Sequence, residues 1–333
     1  MTYCHEHLVI DGGRPVELEP DFLLADVGLM ATEVRQAAAF GLRSVIDAMP
    51  ADAGRNATKL AELSRQTDVN VVAPTGLHHE RYYGPAHCSL RIGVEELAGL
   101  FTADVEEGID ANDYSGPVVR RTAVRAGVLK IAGSAGGPSA RDARVFGAAA
   151  ITQRKTGVPI LTHCEGGTGA LEQVRLLEDL GVAPSRVTLS HVDKVVDPGY
   201  HRELLATGAS AEYDQAFRWG DRENGTLTLL EAMIGDGFAD GIILGMDAAR
   251  RGYYRVYGGA PGLSFLLDDF SRSMAERGID ARARLRLQPD GPGPDRAQVA
   301  CAGGRPEPGA RSVPIGVIAR SGGRRLTTRI EEG

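Results

Sequence analysis

GVPILTHCEGGTGALEQVRLLEDLGVAPSRVTLSHVDKVVD, residues 157–197, decides the fold. It reads as strand, helix, strand. Pro159–His163 is a short apolar run, Gly169–Leu180 has apolar residues at helical spacing, and Val187–His191 is apolar again. Two strands joined through a helix lie parallel in one sheet. Each of these two strands ends on a histidine.

Working outward, six more runs have strand character: Leu8–Ile10, Ser44–Ala48, Val69–Thr75, Gly127–Ala132, Ala209–Tyr213 and Gly241–Met246. Helical spacing fills the gaps at Leu29–Phe40, Ala57–Gln66, Val94–Glu107, Ala140–Lys155 and Thr226–Ile234. Eight strand–helix repeats predict an α/β fold closed into a (β/α)8 TIM barrel, with its active site at the strand C-termini. A doubly wound open sheet is the alternative. It usually carries a Gly-rich phosphate turn after the first strand, where this chain has HEHLVIDGG.

Six residues sit at the C-terminal ends of these runs or inside them: His5, His7, Lys130, His163, His191 and Asp247. Residues two apart on a strand share a face, so the HxH pair aims both imidazoles one way and Glu6 the other. Singly each has a bland reading: a surface pair, a satisfied core histidine, a helix N-cap at Asp247. Together a barrel would bring them to one mouth. Imidazole and carboxylate donors suit zinc, and also manganese, cobalt or iron. Lys130 lies inside the apolar GVLKIAG, where a free ammonium is costly. Carboxylated by CO2, it becomes an anionic ligand able to bridge two divalent ions. Asp247 is then the candidate catalytic group, a ligand that also moves a proton.

Bulk properties set limits. A chain of 333 residues with 43% hydrophobic and 24% charged residues can bury a large core. A net charge of −7 gives no reason to expect nucleic acid or an anionic membrane as partner. No run reaches membrane-spanning length. Cys4, Cys88, Cys164 and Cys301 form no CxxC pair, which favours reduced thiols and a cytoplasmic location. The expected partner is a small-molecule substrate, with a homodimer left open. The abrupt start at HEH raises a lost upstream segment as a further question.

HEHL, VIDAMP followed by GRN, APTGLH, GVLKIAG, GVPILTHCEGGTGALEQ, SRVTLSHVDKVVD and IILGMD occur in that order. With them the chain, from about Thr2 to about Gly278, resembles the phosphotriesterase family of the amidohydrolase superfamily. The resemblance implies a binuclear metal hydrolase. His5, His7 and Asp247 would hold the more buried ion and His163 and His191 the more exposed one. Carboxylated Lys130 and a hydroxide would bridge the two. It implies action on lactones or other carboxyl esters, with organophosphate triesters as the alternative and amides open. A non-catalytic ligand-binding barrel is the rival from another class.

The loops depart from the family. His78 falls where lactonases tend to have tyrosine and triesterases tryptophan. Asp214, after the seventh strand, can orient substrate or make a structural hydrogen bond. Arg250, Arg251 and Arg255 follow Asp247 and point to an anionic substrate group, since arginine grips carboxylate or phosphate with two donors. Solvent-facing arginines are the bland reading. Tyr253, Tyr254, Tyr257 and Trp219 either line a pocket or pack over the mouth. His78, Asp214, Arg250 and Tyr257 are the substrate-contact candidates. The GGTG at 166–169 reads as a flexible turn, and Cys164 as facing away from His163.

The predicted barrel domain is residues 1–280. Residues 281–333 are rich in Arg, Gly and Pro and lack Lys, His, Met, Asn, Phe, Tyr and Trp. Such a tail is expected to be disordered, or to derive from a frameshift near residue 285. The family's usual closing Asn-Pro-x-Arg motif is missing there. One codon choice, read one nucleotide later, would restore an Asn-Pro pair.

Overall fold

The computed structural model describes residues 1–220 and 222–279. The expectations for the 281–333 tail lie outside these residues.

Strands and helices alternate as the sequence predicts. The strands are β1 (Thr2–Glu6), β2 (Ser44–Asp47), β3 (Asn70–Val72), β4 (Pro74–Thr75), β5 (Val128–Gly133), β6 (Ile160–Cys164), β7 (Val187–Ser190), β8 (Ser210–Tyr213) and β9 (Ile242–Leu244). The helices are α1 (Gly13–Leu18), α2 (Val27–Ala39), α3 (Ala57–Thr67), α4 (Val94–Glu106), α5 (Ala140–Thr156), α6 (Ala170–Asp179), α7 (Pro198–Ala206), α8 (Gly225–Gly235) and α9 (Asp269–Glu276). All strand pairs are parallel and follow chain order, β1-β2-β3 and then β4 through β9. This is the order of a (β/α)8 barrel. β3 and β4 are two halves of its third strand, parted at Ala73 by Pro74, which has no N–H to give to a ladder. At the seam between last and first strands, Asp247 donates its N–H to the carbonyl of His5 at 2.9 Å.

The first strand needs correcting. It is Thr2–Glu6, not Leu8–Ile10. The N–H groups of Leu8 and Val9 donate to Asp47 Oδ2 at 2.7 and 3.2 Å, so no neighbouring strand receives them. Ile10 instead makes an isolated antiparallel bridge to Leu24. β1 also holds one extra residue against β2, since Tyr3 pairs with Val45 but Glu6 with Asp47. Such a bulge re-aims the end of a strand. Helices α1 and α7 fall outside the stretches with helical spacing, whereas α9 lies in PGLSFLLDDFSRSMAERGI, residues 261–279, which reads as a helix.

Local sequence sets the helix ends. Asp26, Asn56 and Asn224 accept from the N–H groups of Leu29, Lys59 and Leu227, and Ser139 with Asp142 forms a capping box on α5. Gly157 ends α5 at φ 78°. Inside the barrel, Cys4, Ile46, Val72, Val128, Leu161 and Ile243 form an apolar floor. Val128 and Leu161 lie two residues before Lys130 and His163, so the same inward rows carry the floor and, one step higher, the polar site. Gly76 lets the turn after β4 approach β5, because a Cβ there would collide with the backbone of Lys130.

Candidate active site

The strand ends bring the six candidate ligands together. Lys130 Nζ lies 3.2 Å from His5 Nε2. Asp247 Oδ1 lies 3.3 Å from His7 Nε2 and 3.6 Å from His5 Nε2. Asp247 Oδ2 is 3.9 Å from His191 Nδ1, and the His163 and His191 rings are 4.4 Å apart between centroids. His191 and Asp247 adopt left-handed backbone, φ 67° and 48°, which L-residues other than glycine avoid. Strain of this kind persists where surroundings over-determine it. Here the His191 N–H donates to Asp214 Oδ2, and Glu6 accepts from the residues on either side of Asp247, Met246 at 2.8 Å and Ala248 at 3.3 Å.

Burial governs the charges. It holds His5 well below the ordinary histidine range, reinforced by Lys130. It brings His163 down to about 3, with His191 adding to the effect and Glu165 opposing it. Neutral imidazoles have the lone pairs a cation needs. Lys130 is wholly buried, and burial lowers its amine to about 8 against the pull of Glu212 and Asp247. For Asp247 burial works the other way but is outweighed. The His7 hydrogen bond and the charges of His191, His5 and Arg218 hold its carboxyl well below the usual range.

The donor set fits divalent cations. His5, His7 and Asp247 offer ligand atoms within 4.8 Å of one another, and so do His5, His191 and Asp214. His7 also keeps a buried Nδ1 without a hydrogen-bond partner.

Acids stand behind the histidines. Glu212 Oε2 lies 2.9 Å from His5 Nδ1, Asp214 Oδ2 lies 2.6 Å from His191 Nδ1, and Glu165 Oε2 lies 2.8 Å from His163 Nε2. Burial, then Asp214, push the Glu212 carboxyl well up, while Lys130 opposes. The His163 hydrogen bond draws Glu165 down to about 2.

The ligands open into a cavity of about 230 Å³, also lined by His78, Arg81, Tyr82, Arg218, Arg250 and Tyr253. His78 is neutral because burial, and then His163, push its pKa well down, and its ring meets Tyr82 edge-on at 4.7 Å. Arg250 pairs with Glu19 at 2.5 Å and covers the Phe22 ring. Arg218 donates to the carbonyls of Met246 and Asp247 at 2.8 and 2.7 Å and stacks on Phe217.

Two substrate-contact candidates are corrected. Asp214 is fully buried and faces His191 instead of the cavity. Tyr257 sits in the Arg255–Tyr257 turn with its ring beneath Arg251, away from the lining. Tyr254 is buried too, its hydroxyl donating to the carbonyls of His7 and Ala248. Sequence reasoning passed over Arg81, Tyr82 and Arg218. They lie in the stretches LHHERYYGPAHC, residues 77–88, and AEYDQAFRWGD, residues 211–221, where nothing local separates a cavity arginine from a solvent-facing one.

Residues 1–290 match the sequence signature of the phosphotriesterase family. The chain belongs to the phosphotriesterase family. It is 30% identical to the phospho-furanose lactonase of Mycoplasmopsis synoviae, over 85% of this chain and 83% of that protein. The aryldialkylphosphatase of Saccharolobus solfataricus is 29% identical, over 74% of this chain and 76% of its own length. A lactonase structure from Listeria monocytogenes superposes with a TM-score of 0.76 at 25% identity, covering 86% of this chain and 90% of that one. Phosphotriesterase-family membership makes this barrel an ester-hydrolysing enzyme of the binuclear-metal type. Among the described residues no helix is long and apolar enough to cross a membrane.

Proposed function

We propose that this enzyme hydrolyses a furanose lactone carrying a phosphate group. One observation carries the reading: Arg81, Arg218 and Arg250 line the same cavity as five of the six candidate ligands, His5, His7, His163, His191 and Asp247. An anionic substituent would meet guanidinium groups while its ring carbonyl reaches the ligands. The phospho-furanose lactonase of Mycoplasmopsis synoviae supports that substrate class. A neutral phosphotriester offers the arginines no anionic group to pair with, so triester hydrolysis ranks second.

In this reading His5, His7 and Asp247 hold one cation and His163 and His191 the other. Lys130, once carboxylated by CO2, would add its carbamate oxygens to the same donor set. Zinc suits the nitrogen-rich set, with manganese, cobalt or iron as alternatives. The bound cations supply Lewis acidity towards the lactone carbonyl and make a water nucleophilic at neutral pH. The protein does the rest. Lys130 is buried with its amine lowered to about 8, so an appreciable fraction of it is free to add CO2. Asp247, its side chain 24% exposed to the cavity, accepts the proton of the attacking water and returns it to the ring oxygen as the C–O bond breaks. Arg218 fixes Asp247 through its carbonyl. Arg81 and Arg250 bind the phosphate. Among the described residues Cys88 and Cys164 form no disulfide.

A hydrolysis screen on cation-loaded protein tests the reading, with phosphorylated and unphosphorylated lactones, phosphotriesters and amides compared. Preference for the phosphorylated lactone is expected. Equal turnover of the unphosphorylated lactone would remove the role given to the arginines.

A further inference from the structure

Glu212 is a buried acid that the proposed reaction leaves unused. It sits on β8 with no exposure, two residues before Asp214. Its Oε2 lies 2.9 Å from His5 Nδ1, while the other carboxylate near that nitrogen, Asp214 Oδ2, is 3.8 Å away. Its Oε1 is buried with no hydrogen-bond partner. Room for that oxygen comes from Gly245, where a Cβ would collide with it and crowd His5. Burying a carboxylate is costly unless something compensates it. Packing alone explains neither the acid nor the space cleared for it.

We infer that Glu212 is a positioning residue for the cation site of His5: it accepts the Nδ1 hydrogen and thereby turns the Nε2 lone pair towards the cavity. His5 Nε2 does face that way, 3.2 Å from Lys130 Nζ and 3.6 Å from Asp247 Oδ1. A carboxylate behind a ligating imidazole fixes its tautomer and ring angle and raises its basicity. Asp214 Oδ2 likewise lies close to an imidazole nitrogen, 2.6 Å from His191 Nδ1. Glu212 on β8 and Asp214, the residue just past its end, therefore each face a histidine of a different proposed cation site, a spacing of two along the strand direction delivering both acids inward. Replacing such a partner typically lowers cation affinity about tenfold to a hundredfold.

The inference rests on the two-cation reading above, and the test separates the two. Cation affinity is measured on the full chain by competition with a chromophoric chelator, using zinc and cobalt, for wild type, Glu212→Ala, Glu212→Gln and Gly245→Ala. Two tight sites are expected in wild type. Glu212→Ala should weaken one site by about tenfold or more and leave the second unchanged. Glu212→Gln should recover part of the loss, because its carbonyl still accepts the hydrogen. Gly245→Ala should imitate Glu212→Ala with the acid still present, and it carries the test with Glu212→Gln if the alanine variant does not fold. Nitrogen-15 spectra of zinc-loaded wild type should show His5 hydrogenated at Nδ1. Wild-type affinity at both sites in Glu212→Ala, equal weakening of both sites with no rescue by glutamine, or hydrogen on Nε2 would overturn the role of Glu212 alone. A wild-type chain that binds no cation would overturn this inference and the two-cation reading together.

Discussion

Asp247 donates its backbone N–H to the carbonyl of His5 at 2.9 Å, so two candidate ligands from opposite ends of the fold share the hydrogen bond at the barrel seam. Glu6, the residue after His5 and fully buried, accepts through its two oxygens from the N–H groups of Met246 and Ala248 on either side of Asp247. The seam and the site are thus one construction. Removing the Glu6 carboxylate leaves two buried N–H groups unpaired, at about 1–3 kcal/mol each. Glu6→Ala is expected to lower the melting temperature of the metal-free chain by several degrees and to weaken cation binding, with Glu6→Gln milder. Unchanged melting and binding in Glu6→Ala would show that the seam does not depend on it.

Lys130→Ala should lose most bound metal and most activity, because no other residue can supply the carbamate oxygens. Short carboxylic acids should restore part of both by occupying the space left by the side chain. Elemental analysis and turnover, with and without added propionate, check this. Full activity in the unrescued variant contradicts a bridging role.

Arg250→Ala should raise KM for a phosphorylated lactone about tenfold to a hundredfold, the worth of a charge-assisted hydrogen bond of about 1.5–3 kcal/mol. KM for the unphosphorylated lactone should barely move. Steady-state kinetics on the pair decide it, and equal effects on both substrates would count against phosphate recognition.

Acid should destabilise the metal-free chain in a definite window. His163 is depressed from 6.5 to about 3, first by burial and then by His191. Between those values the unfolded chain takes up a proton that the folded chain refuses, so stability falls as pH falls from about 6.5 to about 3. This contribution is fully present above about 6.5. Melting temperature followed from pH 7.5 to 4 should decline, and a flat or rising profile would contradict the shift.

The convergence of the six candidates was legible because it follows strand periodicity. His163 and His191 close apolar runs, and HxH places its pair by register alone. The first strand was misplaced because Leu8, Val9 and Ile10 are as apolar as a strand but give their N–H groups to Asp47 and Leu24. The break at Ala73 follows from Pro74, visible in sequence yet silent on whether the ladder resumes. Asp214 looked like a substrate contact because a carboxylate after a strand shows its height in the barrel and not its partner. Glu212 stayed hidden for the same reason, since its meaning depends on a histidine 207 positions away. Arg81 and Arg218 needed the folded loops before they could be told from surface arginines.

The central claim is a two-cation centre that hydrolyses a phosphorylated lactone. The most direct test strips the chain with a chelator, counts the cations that rebind, and follows hydrolysis of a phosphorylated furanose lactone at each step of reloading. The account predicts no turnover in the stripped chain and activity rising to a plateau at two cations per chain. Turnover that survives stripping, or a chain that rebinds two cations and leaves the lactone intact, would contradict it.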